Sequence, residues 1–287
     1  MKKIDNLSFI ASLVLIILNL IVWHKIVLSH SIKNAEIYFL DVGQGDSELL
    51  VLPGEVKIIT DGGPRGDNLV QEFSRLDLNK KYVDLLIISH PQSDHFGGFV
   101  NFLDTVDVGA IVMSGRKGET DDWNDFINKV NNKNIPIITL LAGDRIRYDN
   151  NQIEILSPSP SILQSSDLND TSIVELITTE KLKILLTGDI GKSIEDFLVE
   201  RIPNKLETDI LKIAHHGSKY SSSEKFLKIS NPKIAVIEVG ASNQYGHPAQ
   251  EILDRLNQIG VLGIFRTDLN GTVKIFAQDN KIKVIKQ

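Results

Sequence analysis

The hydrophobic pattern divides the chain into two unlike parts. Residues 7–28 are almost wholly apolar, with polarity returning only at His24 and Lys25. As a helix this run would be roughly 33 Å long, enough for a hydrocarbon core of about 30 Å. Trp23 suits an interfacial aromatic position, and Lys2 and Lys3 favour a cytoplasmic N-terminus, against Lys25 and Lys33 on the other flank. The pattern predicts one N-terminal transmembrane helix. No small-residue cleavage motif follows it, which argues against a removed signal peptide. Its lack of a polar face argues against a helix of a globular core.

After a linker at 29–35 the period shortens. Residues 36–41, 47–52 and 56–60 read as strands punctuated by Gly-Gln-Gly and Pro-Gly, and 68–76 as an amphipathic helix. Residues 83–89 form a continuous apolar run, expected for a strand buried on both faces. Beyond it, helices at 96–106, 123–131, 193–201, 222–229 and 249–259 are expected among strands at 110–113, 135–140, 210–214 and 234–238. The stretch 145–187 is richer in strands, at 152–156, 172–178 and 183–187, and further strands close the chain near Ile264 and at 273–276. No long polar linker interrupts this succession. The reading is an α+β domain over 34–287, with two mixed sheets between helix layers, preceded by an anchor and linker over 1–33.

Composition narrows the chemistry. The chain has 287 residues, 42% of them hydrophobic, which is ample for a buried core. It has no cysteine, so a disulfide framework, a zinc–thiolate site and a thiol nucleophile are all excluded. Lys2, Lys3, Lys25 and Lys33 against Asp5 leave the first 33 residues at +3; with −6 for the whole chain, the remainder carries −9. Such a domain has no net field favouring polyanions, so contact with nucleic acid would have to be local or metal-mediated.

Polar residues gather where apolar runs end. The run 85–89 leads into His90, Asp94 and His95, followed by Gly97 and Gly98. Two imidazoles and a carboxylate from one turn can converge on a divalent cation, and the glycines permit close backbone approach. The alternative is a helix-capping turn, with Asp94 capping a helix that starts near His95. The run 183–187 leads into Asp189, and the run 210–214 into His215 and His216. Five of the seven histidines, His90, His95, His215, His216 and His247, fall at such ends or in an adjoining loop. This is the pattern of a metal site at strand termini.

The segments DVGQGDS (41–47), DGG (61–63), SHPQSDHFGG (89–98), LTGD (186–189), HHGS (215–218), YGHP (245–248) and RTD (266–268) together resemble the metallo-β-lactamase superfamily, and within it the hydrolase domain of ComEC-type DNA-uptake channel proteins and its stand-alone relatives. The resemblance implies an αββα four-layer sandwich with a metal site at one rim of the sheets and hydrolytic chemistry. The superfamily cleaves esters, amides, thioesters and phosphodiesters, so it leaves the substrate open. The family's H-x-H-x-D-H motif falls on His90, Gln92, Asp94 and His95, with Gln92 standing where a charged or imidazole ligand is usual. Asp189 matches the acidic residue that bridges two metals, and His215 and His216 match HHGS. The family's middle histidine has no counterpart, Asn169 and Asp170 being the nearest polar candidates. His247 is expected beside the substrate or as a last ligand. Asp41, Gly43, Gly45 and Asp46 are read as turn residues shaping the sandwich edge, Asp61 as a partner orienting a ligand histidine, and 221–223 as a helix N-cap region.

The resulting expectation is a membrane-anchored, single-pass hydrolase whose domain lies outside the cytoplasm. It takes one or two divalent metals held by His90, Asp94, His95, Asp189, His215 and His216, with Asp94 and His247 catalytic. Ligation by histidine and aspartate admits zinc, manganese or iron. The expected partners are a phosphodiester substrate (a nucleic acid strand, a wall polymer or a nucleotide) and a lipid bilayer; no protein partner is inferred. A non-catalytic metal-binding module and a β-lactamase are the competing readings.

Overall fold

The computed structural model describes residues 6–29, 34–76, 78 and 81–287, with side chains described from residue 9 to 23 in the first helix. That helix, α1 (Asn6–Ser29), stands where the long apolar run predicts a helix. Its described large apolar side chains, from Phe9 to Trp23, are all strongly exposed. Among the described residues no helix is long and apolar enough to cross a membrane, so the expected transmembrane helix finds no support here. The side chains that would complete such a span, the basic residues before it and most of the linker at 29–35 lie outside the described residues.

The domain begins with β1 (Glu36–Phe39), β2 (Glu48–Leu52) and β3 (Val56–Thr60), followed by α2 (Asn68–Arg75), β4 (Tyr82–Ile88), α3 (Ser93–Phe102), β5 (Asp107–Met113), α4 (Asp121–Asn132) and β6 (Ile137–Thr139). Then come β7 (Arg145–Tyr148), β8 (Asn151–Ser157), β9 (Val174–Thr178), β10 (Lys183–Leu186), α5 (Lys192–Arg201), β11 (Ile210–Lys212), α6 (Glu224–Ser230) and β12 (Ile234–Ile237). The chain closes with α7 (Gln250–Gln258), β13 (Gly263–Arg266), the single turn α8 (Thr267–Asn270), β14 (Val273–Gln278) and β15 (Lys281–Lys286).

Two sheets result. The first is ordered β15-β14-β1-β2-β3-β4-β5-β6 and the second β13-β12-β11-β10-β9-β8-β7. The inward faces, including Phe39, Leu50, Ile58 and Ile87 from the first sheet and Ile153, Ile177, Ile184 and Val236 from the second, form one core between them. A second core lies between the first sheet and α2, α3 and α4, built around Phe73, Phe96, Phe99, Phe102 and Phe126. A third packs Ile194, Leu198, Phe226, Ile252 and Leu256 of α5, α6 and α7 on the other sheet. The α+β reading and the four-layer αββα arrangement are therefore observed, with helices covering both outer faces.

The strands β7 and β15, absent from the sequence expectation, each occupy one edge of a sheet, β13 and β6 lying at the opposite edges. Their sequences, RIRY and KIKVIK, alternate polar and apolar residues as half-exposed strands do, and the lysines of β15 suit an edge that must not pair further. Helix α3 starts earlier than expected, at Ser93, with Gln92 as an extended N-cap. Asp94 is thus not the cap. It sits in the first turn, where the helix dipole favours a carboxylate.

Strands β3, β4 and β5 run parallel, as do β10, β11, β12 and β13. Their C-terminal ends meet at one rim, where the space between the sheets is polar. The hydroxyl of Thr60 on β3 donates to Glu175 on β9 at 2.9 Å, joining the two sheets. Burial pushes Glu175 up to about 8. Because its folded value lies above the unfolded one of 4.5, the stability tied to its proton is complete below pH 4.5 and is lost as pH rises through about 8. Glu175→Gln keeps the shape of the neutral acid. It is expected to come close to the parent in denaturant melts at pH 5 and to gain on it by about 4 kcal/mol between pH 5 and pH 9. A difference that does not widen with pH would remove Glu175 as the source.

Candidate metal centre

Each loop at the rim delivers its side chains for a local reason. Strand β4 ends at Ile88 and runs directly into Ser89 and His90, and the first turn of α3 turns Asp94 and His95 back over the strand end. After β10, Gly188 at φ 50° turns the chain so that Asp189 is buried beneath the rim. After β11, His215 and His216 both have φ 52°, a left-handed conformation uncommon for residues with a side chain. The tight turn separates them. His216 points inward and is buried, whereas the His215 side chain remains 31% exposed at the mouth.

Four side chains converge. One ligand atom each from Asp94, His95, Asp189 and His216 lies within 4.8 Å of all the others. Asp189 Oδ2 is 3.3 Å from His95 Nε2 and 3.4 Å from His216 Nε2, and Asp94 Oδ2 is 3.5 Å from His216 Nε2. Neither Nε2 has a hydrogen-bond partner, although both are buried. The other ring nitrogens are occupied. His95 Nδ1 donates to Asp61 Oδ2 at 2.7 Å, and His216 Nδ1 donates to the Glu238 carbonyl at 2.9 Å with Asp46 Oδ1 at 3.1 Å. These contacts place the hydrogen on Nδ1 and aim a lone pair from each Nε2 at the shared centre, the arrangement of metal-ligating histidine. The residues fit a divalent cation of four-ligand type with two imidazoles and two carboxylates.

The electrostatics agree. Burial opposes the charged ring of His216, but Asp189 and Asp46 hold its pKa up to about 10. Burial likewise opposes ionisation of Asp189, yet His216 and His95 keep it well below the usual carboxylate range. A cation at the centre would take over the role of these ring protons, so its binding should release protons.

Asp61 stands against His95, where a partner orienting that histidine would stand. Its Oδ1 accepts from the Ser89 backbone N–H at 2.8 Å while Oδ2 meets His95, so the carboxylate ties β4 to α3. Asp61→Asn is expected to weaken metal binding on the order of 10- to 100-fold, the usual effect of losing a histidine's outer partner. Titration of the variant with zinc or manganese measures this, and unchanged affinity would deny Asp61 its orienting role.

His90 is not part of the converging set. It is buried with its ring 4.1 Å from that of His95, and its Nδ1 lies 3.0 Å from Ser89 Oγ and 3.2 Å from Ser172 Oγ. Burial, with His95 alongside, lowers its pKa to about 4. His215 reaches Asp189 Oδ2 only at 3.8 Å, and its ring lies 5.8 Å from that of His247. His247 is half-buried in the loop beyond β12, stacked on exposed Tyr245. Asp170 is engaged with the hydroxyls of Ser165 and Ser193, and neither it nor Asn169 joins the converging group. Ser223 caps α6 through Phe226 N–H, as its sequence context suggests.

Asp46 corrects the turn-residue reading: it is fully buried, paired with Lys212 and within 3.1 Å of His216. Lys212 itself was not anticipated. A lysine inside the apolar run ILKIA, with no exposed surface, is the signal that could have revealed it. The centre opens to solvent through a cleft of about 430 Å³ whose walls include Gln44, Gln92, Asp94, His215, Tyr245 and His247.

The family model of the metallo-β-lactamase superfamily matches residues 40–240. The chain belongs to that superfamily, whose members are in general metal-dependent hydrolases. Its curated relatives are ComEC-related competence proteins. ComE operon protein 3 of Bacillus subtilis (strain 168) is 30% identical over 262 residues, covering 84% of this chain and 33% of the relative. Competence protein ComA of Neisseria gonorrhoeae is 28% identical over 245 residues, covering 84% and 32%. The chain thus spans about a third of the length of these relatives. Among solved structures, Igni18, a metallo hydrolase from Ignicoccus hospitalis KIN4/I, superposes with a TM-score of 0.52 at 14% identity, covering 85% of this chain and 100% of that one. That likeness is one of fold.

Proposed function

We propose that this domain is a metal-dependent phosphodiesterase, acting outside the cytoplasm and tethered through α1. The observation that carries the reading is the convergence of His95 Nε2, His216 Nε2, Asp94 and Asp189 at the floor of an open polar cleft. A divalent cation held there supplies Lewis acidity and lowers the pKa of water towards neutrality. Asp94, whose side chain is 36% exposed, faces the cleft and is placed to orient a water and accept its proton. His247, with Nδ1 free of hydrogen-bond partners, lines the same cleft and is assigned the role of offsetting charge on the scissile group. Two carboxylates beside two imidazoles, with no thiolate, make a nitrogen–oxygen centre whose anionic ligands favour phosphoester over β-lactam chemistry and which suits zinc or manganese. The strongly exposed apolar side chains of α1 support the tether, since they find no cover within the domain.

The deciding experiment loads the full-length protein with zinc or manganese and offers a generic chromogenic phosphodiester beside a chromogenic β-lactam. Metal-dependent turnover of the phosphodiester alone is expected. Turnover of the β-lactam instead would overturn the substrate assignment, and metal retained without turnover of either would return the chain to a binding role. For the tether, full-length protein should partition with membranes and be digested by protease added to spheroplasts. A fully soluble protein would remove that part of the reading.

A further inference from the structure

Behind the converging ligands lies a second group of metal-capable side chains. Asp46, Asp61 and His95 come within 4.8 Å of one another there, all three buried, but His95 Nδ1 is taken up in donating to Asp61 Oδ2, so the oxygens left for a cation are those of Asp46 with Asp189 Oδ1. Lys212 enters this region from β11. Its side chain has no exposed surface; its ammonium is ion-paired with Asp46, donates to the Gly188 carbonyl at 3.0 Å and lies 3.8 Å from Asp189 Oδ1. Asp189 Oδ1 has no hydrogen-bond partner of its own. One amine therefore faces both the inner carboxylate, Asp46, and the carboxylate shared with the outer centre, Asp189.

We propose that the Lys212 ammonium is a resident cation that takes the inner position of this site, so that the centre holds a single divalent metal. The inference rests on the metal reading of the outer group, and concerns how many ions the site admits. Charge supports it. The carboxylates of Asp46, Asp61, Asp94 and Asp189 crowd one rim, and a lone divalent ion would leave them two charges in excess. A second divalent ion would balance them; the fixed ammonium leaves one excess negative charge and needs no free metal. Space supports it as well, because a divalent ion and an ammonium cannot both contact Asp46 and Asp189 Oδ1 at these distances without strong repulsion.

The readouts are metal stoichiometry and spin coupling, which do not depend on turnover. Full-length parent protein freed of metal and titrated with Mn²⁺ should bind one equivalent, and its electron paramagnetic resonance spectrum in excess Mn²⁺ should be that of isolated ions. Lys212→Ala vacates the space between Asp46, Asp189 Oδ1 and the Gly188 carbonyl and should gain a second equivalent with a spin-coupled signal. Lys212→Arg keeps the charge and should remain at one. Two equivalents or a coupled pair in the parent would overturn the proposal, and so would a folded Lys212→Ala protein that still binds one. Should Lys212→Ala not fold, the parent spectrum alone decides, isolated ions supporting the proposal and coupled ions refuting it. A parent that binds no divalent metal would defeat both this inference and the metal reading beneath it. A parent that binds one metal and cleaves a phosphodiester, while Lys212→Ala also binds only one, would leave the enzyme reading intact and end this one.

Discussion

Asp189→Ala and His216→Ala proteins are expected to emerge from dialysis without tightly bound divalent metal and to lose turnover on the order of 10³-fold or more, while His215→Ala keeps its metal. The expected loss exceeds the 10- to 100-fold typical of an outer partner because each change deletes an atom aimed at the shared centre. His215 and His216 are adjacent in sequence and both belong to the HHGS segment, so the sequence does not rank them. The left-handed turn does: His216 Nε2 is 3.4 Å from Asp189 Oδ2 with no hydrogen-bond partner, and His215 Nε2 is 3.8 Å away on a partly exposed ring. Elemental analysis of the three variants, with circular dichroism melts to show that each is folded, makes the comparison. Full metal content in His216→Ala, or its loss in His215→Ala alone, would reverse the assignment.

Gly98→Ala is expected to destabilise the domain by about 3 kcal/mol and to impair metal binding at a distance. A Cβ at residue 98 would lie 2.0 Å from the Gly62 carbonyl oxygen, a backbone atom that cannot rotate away. The Gly98 N–H donates to the Gly63 carbonyl at 3.0 Å, so α3 and the loop after β3 are pressed together at this point. One turn earlier on the same helix, His95 meets Asp61, which begins that loop. Forcing the helix outward must therefore lengthen the contact that orients His95. Denaturant melts and a zinc titration of the variant measure the two effects. A variant with parental stability and affinity would show that the helix can slide without cost, and would undo the argument that the glycine pair sets the site's geometry.

Much of the fold was legible along the chain because burial imposes period. The apolar runs at β3, β4, β10, β11 and β12 are flanked by hydrophobic surfaces on both sides, and nothing but a buried strand satisfies such runs with turns so close. The edge strands β7 and β15 were not found, since half of each faces water and their alternation competes with that of an exposed loop. Helix α3 was placed late because its first turn carries the polar site residues, which dilute the apolar signal that marks a helix.

The candidate centre divides in the same way. Local sequence determined which residue types stand at the strand ends, and hence that imidazole and carboxylate would gather at one rim: Asp94, His95, Asp189 and the histidine pair are all adjacent to buried strands whose direction the chain dictates. It also pointed to Asp61 as the partner of a ligand histidine. Only the tertiary structure decided which members converge. His216 rather than His215 turns inward: across two successive left-handed residues the second ring is buried at the centre and the first stays at the mouth. His90 packs with its ring tilted against that of His95 and is not among the converging ligand atoms. Asp46, in what reads locally as a glycine turn, becomes an interior counter-ion because Lys212, 166 positions later in the chain, arrives beneath it. A pair so distant leaves no periodic trace in either segment; once both charges are buried each needs the other, because a lone buried charge is costly, and that match is settled only when the two sheets close.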